Sequence, residues 1–164
     1  MPTETLFDLD DIDLNAVAVD ADEVGRMNPQ RDDMRQLDHV IWMSEDRMRM
    51  VGVKEVTDAE FWVPQHIPGR PLMPGVLMIE AAAQLLSIQF RFRSGSDRFL
   101  GFTRCDNTSF RGQIIPGDTL YLLCEEVDYR PRRMIGRAQG IVDGKLIFES
   151  TVTGMVLSPA EANA

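Results

Sequence analysis

Two residues in this chain have the types and spacing for acid–base chemistry: His66 and Glu80, fourteen positions apart. His66 is one of only two histidines. Imidazole is the side chain that titrates nearest neutrality, so it can take up a proton without rearrangement. Glu80 is the one carboxylate in an apolar run, with Leu77, Met78 and Ile79 before it and Ala81, Ala82 and Ala83 after it. A carboxylate there costs several kcal/mol to bury unless something pairs with it. Between the two lies Met73-Pro74-Gly75-Val76, which reads as a helix start. The first amides of a helix have no internal partner and sit at its positive end, and Gly75 lets a ligand approach the backbone. A base, an acid and amides aimed at a developing oxyanion could take a proton from one carbon and expel a hydroxyl from the next. Each part also has a structural reading: a loop histidine, a glutamate tightening the core through Gln84, an ordinary Pro-Gly helix start. His39, in Asp38-His39-Val40, reads as structural.

The elements that must position these groups are legible in outline. Pro64, Pro68, Gly69, Pro71 and Pro74 make residues 57–74 a stiff, irregular connection. A helix is expected from about Pro74 to Arg93, with Pro at its first turn and Ser94-Gly95-Ser96 ending it. At 1.5 Å per residue it is about 30 Å long. Its polar residues Glu80, Gln84, Ser87 and Arg91 share one stripe. Strands are expected at Asp38–Met43, Arg47–Val56, Arg98–Cys105, Thr119–Tyr129, Met134–Val142 and Lys145–Leu157. Asp143-Gly144 has the composition of a tight hairpin turn. The expected class is α+β, with an antiparallel sheet wrapped around the long central helix, because that helix has almost no polar face to leave in water.

The chain has 164 residues, 44% hydrophobic and 26% charged, which suits one sizeable core. Its net charge of −9 is concentrated at one end. Residues 1–25 carry eight of the 26 acids and no Lys or Arg, so the remaining 18 acids face all 17 bases. The acidity argues against nucleic acid as a partner. Three regions are expected: an acidic arm (1–27), a folded domain (28–158) and a C-terminal tail (159–164). The arm reads either as a solvated segment or as one that docks on a subunit or partner. Cys105 and Cys124 form no metal or disulfide pattern, so reduced thiols in a cytoplasmic protein are expected. No secretory signal is visible. The apolar run Val76–Phe92 is too interrupted by polar residues for a membrane span.

The run His66-Ile67-Pro68-Gly69-Arg70-Pro71-Leu72-Met73-Pro74-Gly75-Val76-Leu77-Met78-Ile79-Glu80, continued to Gln84, resembles the signature of the FabZ/FabA family of 3-hydroxyacyl-[acyl-carrier-protein] dehydratases. Asn28-Pro29-Gln30-Arg31 and Leu37-Asp38-His39-Val40 resemble upstream motifs of that family, as do Phe110 to Asp118 and Val142 to Lys145 downstream. The resemblance covers about residues 28 to 157. It implies a hot-dog fold and a homodimer, and leaves open whether dimers assemble further into a trimer of dimers. It also implies a site at the dimer interface, His from one subunit and the acid from the other. Carried over, His66 removes the α-proton of a β-hydroxyacyl thioester and Glu80 protonates the leaving hydroxyl. The Gly75 and Val76 amides hold the thioester oxygen, and Gln84 orients Glu80. Neither metal nor organic cofactor is implied; the acyl chain arrives on the phosphopantetheine of acyl carrier protein. Glu at position 80 resembles the FabZ branch.

The pattern departs from the family at Gln65, which replaces Gly, at Ile67, which replaces Phe, and at Asp32, where the family has the Tyr that gates the acyl tunnel. Arg130, Arg132 and Arg133, in Tyr129-Arg130-Pro131-Arg132-Arg133, match a segment that the family uses to dock the acidic carrier protein; a solubilising turn is the other reading. Two further functions stay open at this level. One is a hot-dog acyl thioesterase, and the other a non-catalytic subunit that binds acyl chains.

Overall fold

The computed structural model describes residues 4–158; the expected tail at 159–164 lies outside the described residues. In chain order the elements are α1 (Ala21–Met27), a 3-10 turn (Asp32–Met34), β1 (His39–Met43), β2 (Arg49–Glu55), α2 (Gly75–Ser94), β3 (Leu100–Phe110), β4 (Thr119–Arg130), β5 (Arg133–Val142) and β6 (Lys145–Val156). All strands pair antiparallel in one six-stranded sheet ordered β1-β2-β4-β5-β6-β3. Asp143 and Gly144 turn β5 into β6 with φ of 49° and 71°, as a type I′ hairpin requires.

The expected sheet wrapped around the helix is not what forms. The sheet is open: β1 and β3 are its two edges, and α2 lies across one face. The reason is that α1 and irregular chain, not curled sheet, cover the rest of the helix. Val24, Leu37, Trp62 and Met73 join Leu77, Ala81, Leu85, Ile88 and Phe90 in one core. Arg47 donates to the Phe92 carbonyl at 2.6 Å and Gln89 donates to the Arg47 carbonyl at 3.1 Å, so a turn between strands closes the far end of α2. Helix and sheet approach closely at two glycines. A Cβ at Gly52 would lie 2.7 Å from Leu37 Cδ1 and 3.0 Å from Leu85 Cδ1, and one at Gly136 would lie 2.6 Å from Leu86 Cδ1. Gly95, in the left-handed region at φ 65°, ends α2 with its amide on the Arg91 carbonyl.

The arm packs on its own chain. Leu6, Phe7, Leu9 and Ile12 lie on the outer face of the sheet over Ile41, Val51, Val53, Leu123 and Ile141. Phe7 packs against Trp42 in a tilted arrangement, with ring centroids 5.7 Å apart, and carries Arg49 at 5.6 Å. The Leu6 amide donates to Gln139 Oε1 at 2.8 Å. Asp20 caps α1 by accepting from the Glu23 amide at 2.8 Å. Edge β1 is bridged by Val19 to Val40, whereas edge β3 exposes Phe102 to Cys105. Among the described residues, no helix is long and apolar enough to cross a membrane.

Candidate active site

His66 stands on a loop pinned at both ends. At one end Trp62, 1% exposed, anchors a turn whose carbonyl accepts from the His66 amide at 2.8 Å. At the other end the amide of buried Met73 donates to the Ile114 carbonyl at 2.9 Å. Between them the His66 ring is exposed, with Nδ1 2.8 Å from the Leu72 carbonyl oxygen. A carbonyl only accepts, so this contact assigns the proton to Nδ1 and leaves the Nε2 lone pair open. The proline-rich loop thereby sets the tautomer a base needs.

Pro74 precedes α2 as its N-cap, with φ −60° and ψ 132°, and its carbonyl takes the Leu77 amide at 3.0 Å. Among the described residues no acceptor takes the Gly75 or Val76 amide. A Cβ at Gly75 would lie 2.9 Å from the Phe110 ring, so glycine lets that ring close on the helix start. The Val76 side chain is 69% exposed.

Glu80 is half-buried, not sunk in the apolar core that its neighbours suggest. Its Oε1 accepts from Gln84 Nε2 at 2.8 Å and from Gln30 Nε2 at 3.3 Å. Gln84 is 1% exposed and fully committed. Its Oε1 accepts from the Gln36 amide at 3.0 Å, and its Nε2 also donates to the Met34 carbonyl at 2.7 Å. Backbone groups at both ends therefore forbid a flip of this amide. Gln84 always presents N–H to Glu80, so Oε1 is the accepting oxygen, and Oε2 takes part in no hydrogen bond among the described residues. Asn28 ties the same segment to the helix by donating to the Gln84 carbonyl at 3.0 Å. Sequence reasoning found Gln84 but missed Gln30, Gln36 and Asn28 as its surroundings. The motif around Gln30 was visible; the contact across fifty positions was not.

Within one chain His66 and Glu80 share no hydrogen bond among the described residues. The clefts beside Glu4 and Gln139, about 580 Å³, and beside Leu9 and Tyr121, about 680 Å³, are lined by neither residue. Asp32, at the position of the family's gating Tyr, is exposed with φ 50°. At the β4–β5 hairpin, Asp128 takes Arg133 at 2.6 Å and Arg130 at 3.4 Å. The hydrogen bond from Arg133, backed by Arg130, holds the Asp128 carboxyl below the usual carboxylate range. Arg132 is exposed and has no ion-pair partner among the described residues. No group of three or more His, Cys, Asp or Glu among the described residues is arranged to hold a metal ion.

An α+β fold with one long helix laid on an antiparallel sheet is of the hot-dog-like kind. It is similar in geometry to the dehydratase heterocomplex ApeI:P from Xenorhabdus doucetiae, with a TM-score of 0.73 at 14% identity over 85% of this chain and 94% of that one. A hypothetical thioesterase with coenzyme A from Streptococcus pneumoniae shares the fold at a TM-score of 0.58 and 11% identity, over 73% of this chain and 85% of that one. Sequence carries the relationship further. The family model for the FabA-like domain matches residues 28–151. The 3-hydroxyacyl-[acyl-carrier-protein] dehydratase FabZ of Granulibacter bethesdensis is 32% identical over 88% of this chain and 86% of its own length. That of Bacillus velezensis is 35% identical over 82% of this chain and 96% of its own length. This chain belongs to the FabZ/FabA-type dehydratase family.

Proposed function

We propose that this protein dehydrates 3-hydroxyacyl groups on acyl carrier protein to trans-2-enoyl groups in fatty-acid or polyketide synthesis. One observation carries the reading. The residue proposed as base has its Nδ1–H on the Leu72 carbonyl, and the residue proposed as acid has Oε1 taken by amides and Oε2 open. His66 Nε2 takes the α-proton of the thioester. The electron pair moves into the α–β bond as the β-carbon–oxygen bond breaks. Glu80 Oε2–H supplies the proton that makes the departing hydroxyl water. Charge gathering on the thioester oxygen is met by the Gly75 and Val76 amides. The cycle leaves imidazolium and carboxylate, and a proton passing back through solvent resets both.

The pair works across a subunit boundary in this reading. An open edge at β3, with Phe102, Phe110, Ile115 and Val76 exposed, supports a second copy as the cover. The acidic carrier protein docks through Arg132, with Arg130 and Arg133 beside it. The cytoplasm is the compartment that suits two free thiols and this substrate.

The test is turnover of a purified 3-hydroxyacyl thioester, read as enoyl absorbance, with free thiol measured in parallel. Wild type is expected to form enoyl product without releasing thiol. His66→Ala and Glu80→Gln each lose at least about a hundredfold. Thiol release without enoyl product, or turnover unchanged in His66→Ala, refutes the reading.

A further inference from the structure

Glu80 is held by two amides, and only one of them, Gln84, is tied into the surrounding backbone. The other belongs to Gln30, fifty positions away and on no regular element. Gln30 Nε2 reaches Glu80 Oε1 at 3.3 Å, and its own Oε1 is buried without a hydrogen-bond partner. Among the described residues, nothing but Glu80 engages this amide. A glutamine that served only to hold its loop would spend its side chain on that loop.

The backbone beneath it is fixed by other means. Arg31 Nη1 donates to the carbonyls of Asn28 at 2.7 Å and Gln30 at 2.8 Å, clamping the turn from outside. Asn28 fastens its start to α2 through the Gln84 carbonyl at 3.0 Å. The Gln36 amide and Met34 carbonyl fasten its end to the Gln84 side chain at 3.0 and 2.7 Å. The 28–36 segment is thus an arch footed on α2 on both sides of Gln30. It needs no contribution from the Gln30 amide and holds that amide over the carboxyl.

We propose that Gln30 is a positioning residue for the Glu80 carboxyl, sharing Oε1 with Gln84 so that the carboxyl plane is fixed and Oε2 alone faces the substrate. A single donor leaves the carboxyl free to swing about that contact. Two donors from different directions remove that freedom. Gln30 touches no reacting atom; it acts through Glu80.

The inference rests on the dehydratase reading, and the experiment separates the two. Gln30→Met keeps the length of the side chain and removes its donor. It is expected to lower kcat about tenfold while KM for a 3-hydroxyacyl thioester changes by less than about twofold. Gln30→His, which restores a ring N–H, is expected to recover most of the loss. Glu80→Asp, one methylene shorter, withdraws the carboxyl from Gln30. In that background Gln30→Met should cost nothing further, because the partner is already out of reach. Unchanged kcat in Gln30→Met, or an equal loss in the Glu80→Asp background, overturns the inference while the dehydratase reading stands. A wild type that forms no enoyl product overturns both.

Discussion

Replacing Gln84 with methionine tests whether the site is held from the helix outward. The side chain keeps its length and loses every hydrogen bond. Three partners are released: the Gln36 amide, the Met34 carbonyl and Glu80 Oε1. They do not count equally. Met34 is exposed, so water takes over its carbonyl, and Glu80 is half-buried and keeps Gln30. Gln36 is 1% exposed, and its amide is left without an acceptor. A stranded buried donor costs about 1–3 kcal/mol, which makes it the dominant loss. With about 2 kcal/mol removed from a chain of this size, Tm should fall by roughly 4–8 °C. The loss of orientation at Glu80 should lower kcat by at least about tenfold, since a positioned acid is worth about a hundredfold or more. Thermal unfolding by circular dichroism and steady-state formation of enoyl product measure the two effects separately. A Tm within about a degree of wild type would show that the Gln84 amide does not carry the 28–36 segment. A full kcat alongside a lowered Tm would leave Gln84 a purely structural residue.

Mixing two variants tests whether the residues proposed as base and acid meet across a subunit boundary. If His66 and Glu80 act from different subunits of a two-fold dimer, His66→Ala and Glu80→Gln unfolded together and refolded at equal amounts should regain about a quarter of wild-type activity, from one repaired site in each mixed dimer; no recovery in dimers shown to be mixed refutes a shared site. Arg132→Glu should raise KM for a carrier-bound substrate several-fold at low salt and leave a carrier-free thioester unaffected, with the difference shrinking as salt is added; equal effects on both substrates would remove Arg132 from the docking surface. Burial pushes the Cys124 thiol up to about 12, so alkylation of Cys124 at pH 8 should be undetectable in the native protein and complete in denaturant, as mass spectrometry of the labelled chain will read. The folded-state lowering of Asp128 means that its pairing with Arg133 supports the fold above the ordinary carboxylate range and is lost as pH falls through the lowered value. Asp128→Asn should therefore narrow the stability difference between neutral and acid pH, as read from Tm against pH.

Much of the local structure that carries the candidate site was legible in the chain. The spacing of His66 and Glu80, the Pro-Gly frame before α2, the Gly95 stop and the Asp143-Gly144 hairpin depend on a few neighbouring dihedral angles. Such angles are set by residue type. Even α1, which was not anticipated, carried a local sign in Asp20 and Glu23, three positions apart. Strand ends shifted by a few residues where pairing, not composition, decides them. β3 runs on to Phe110 through two irregularities because β6 continues beside it.

What the tertiary structure alone decided involves groups far apart in the chain. The alternating acids and apolar residues of the arm left two readings, a solvated segment or one docked on a subunit or partner, and neither pointed to the chain's own sheet. The arm's seat under Phe7 and Leu9 exists only once β1, β2, β4 and β5 lie side by side. The open sheet likewise depended on which segments cover the helix: Trp62, Leu37 and Met73 fill the side that a curled sheet would have covered. The frame of Glu80 is the sharpest case. An apolar neighbourhood along the helix predicted a buried acid in need of a partner. The partner found there was a set of amides brought from residues 28–36, because a hydrogen bond is fixed by position in space and separation along the chain places no limit on it.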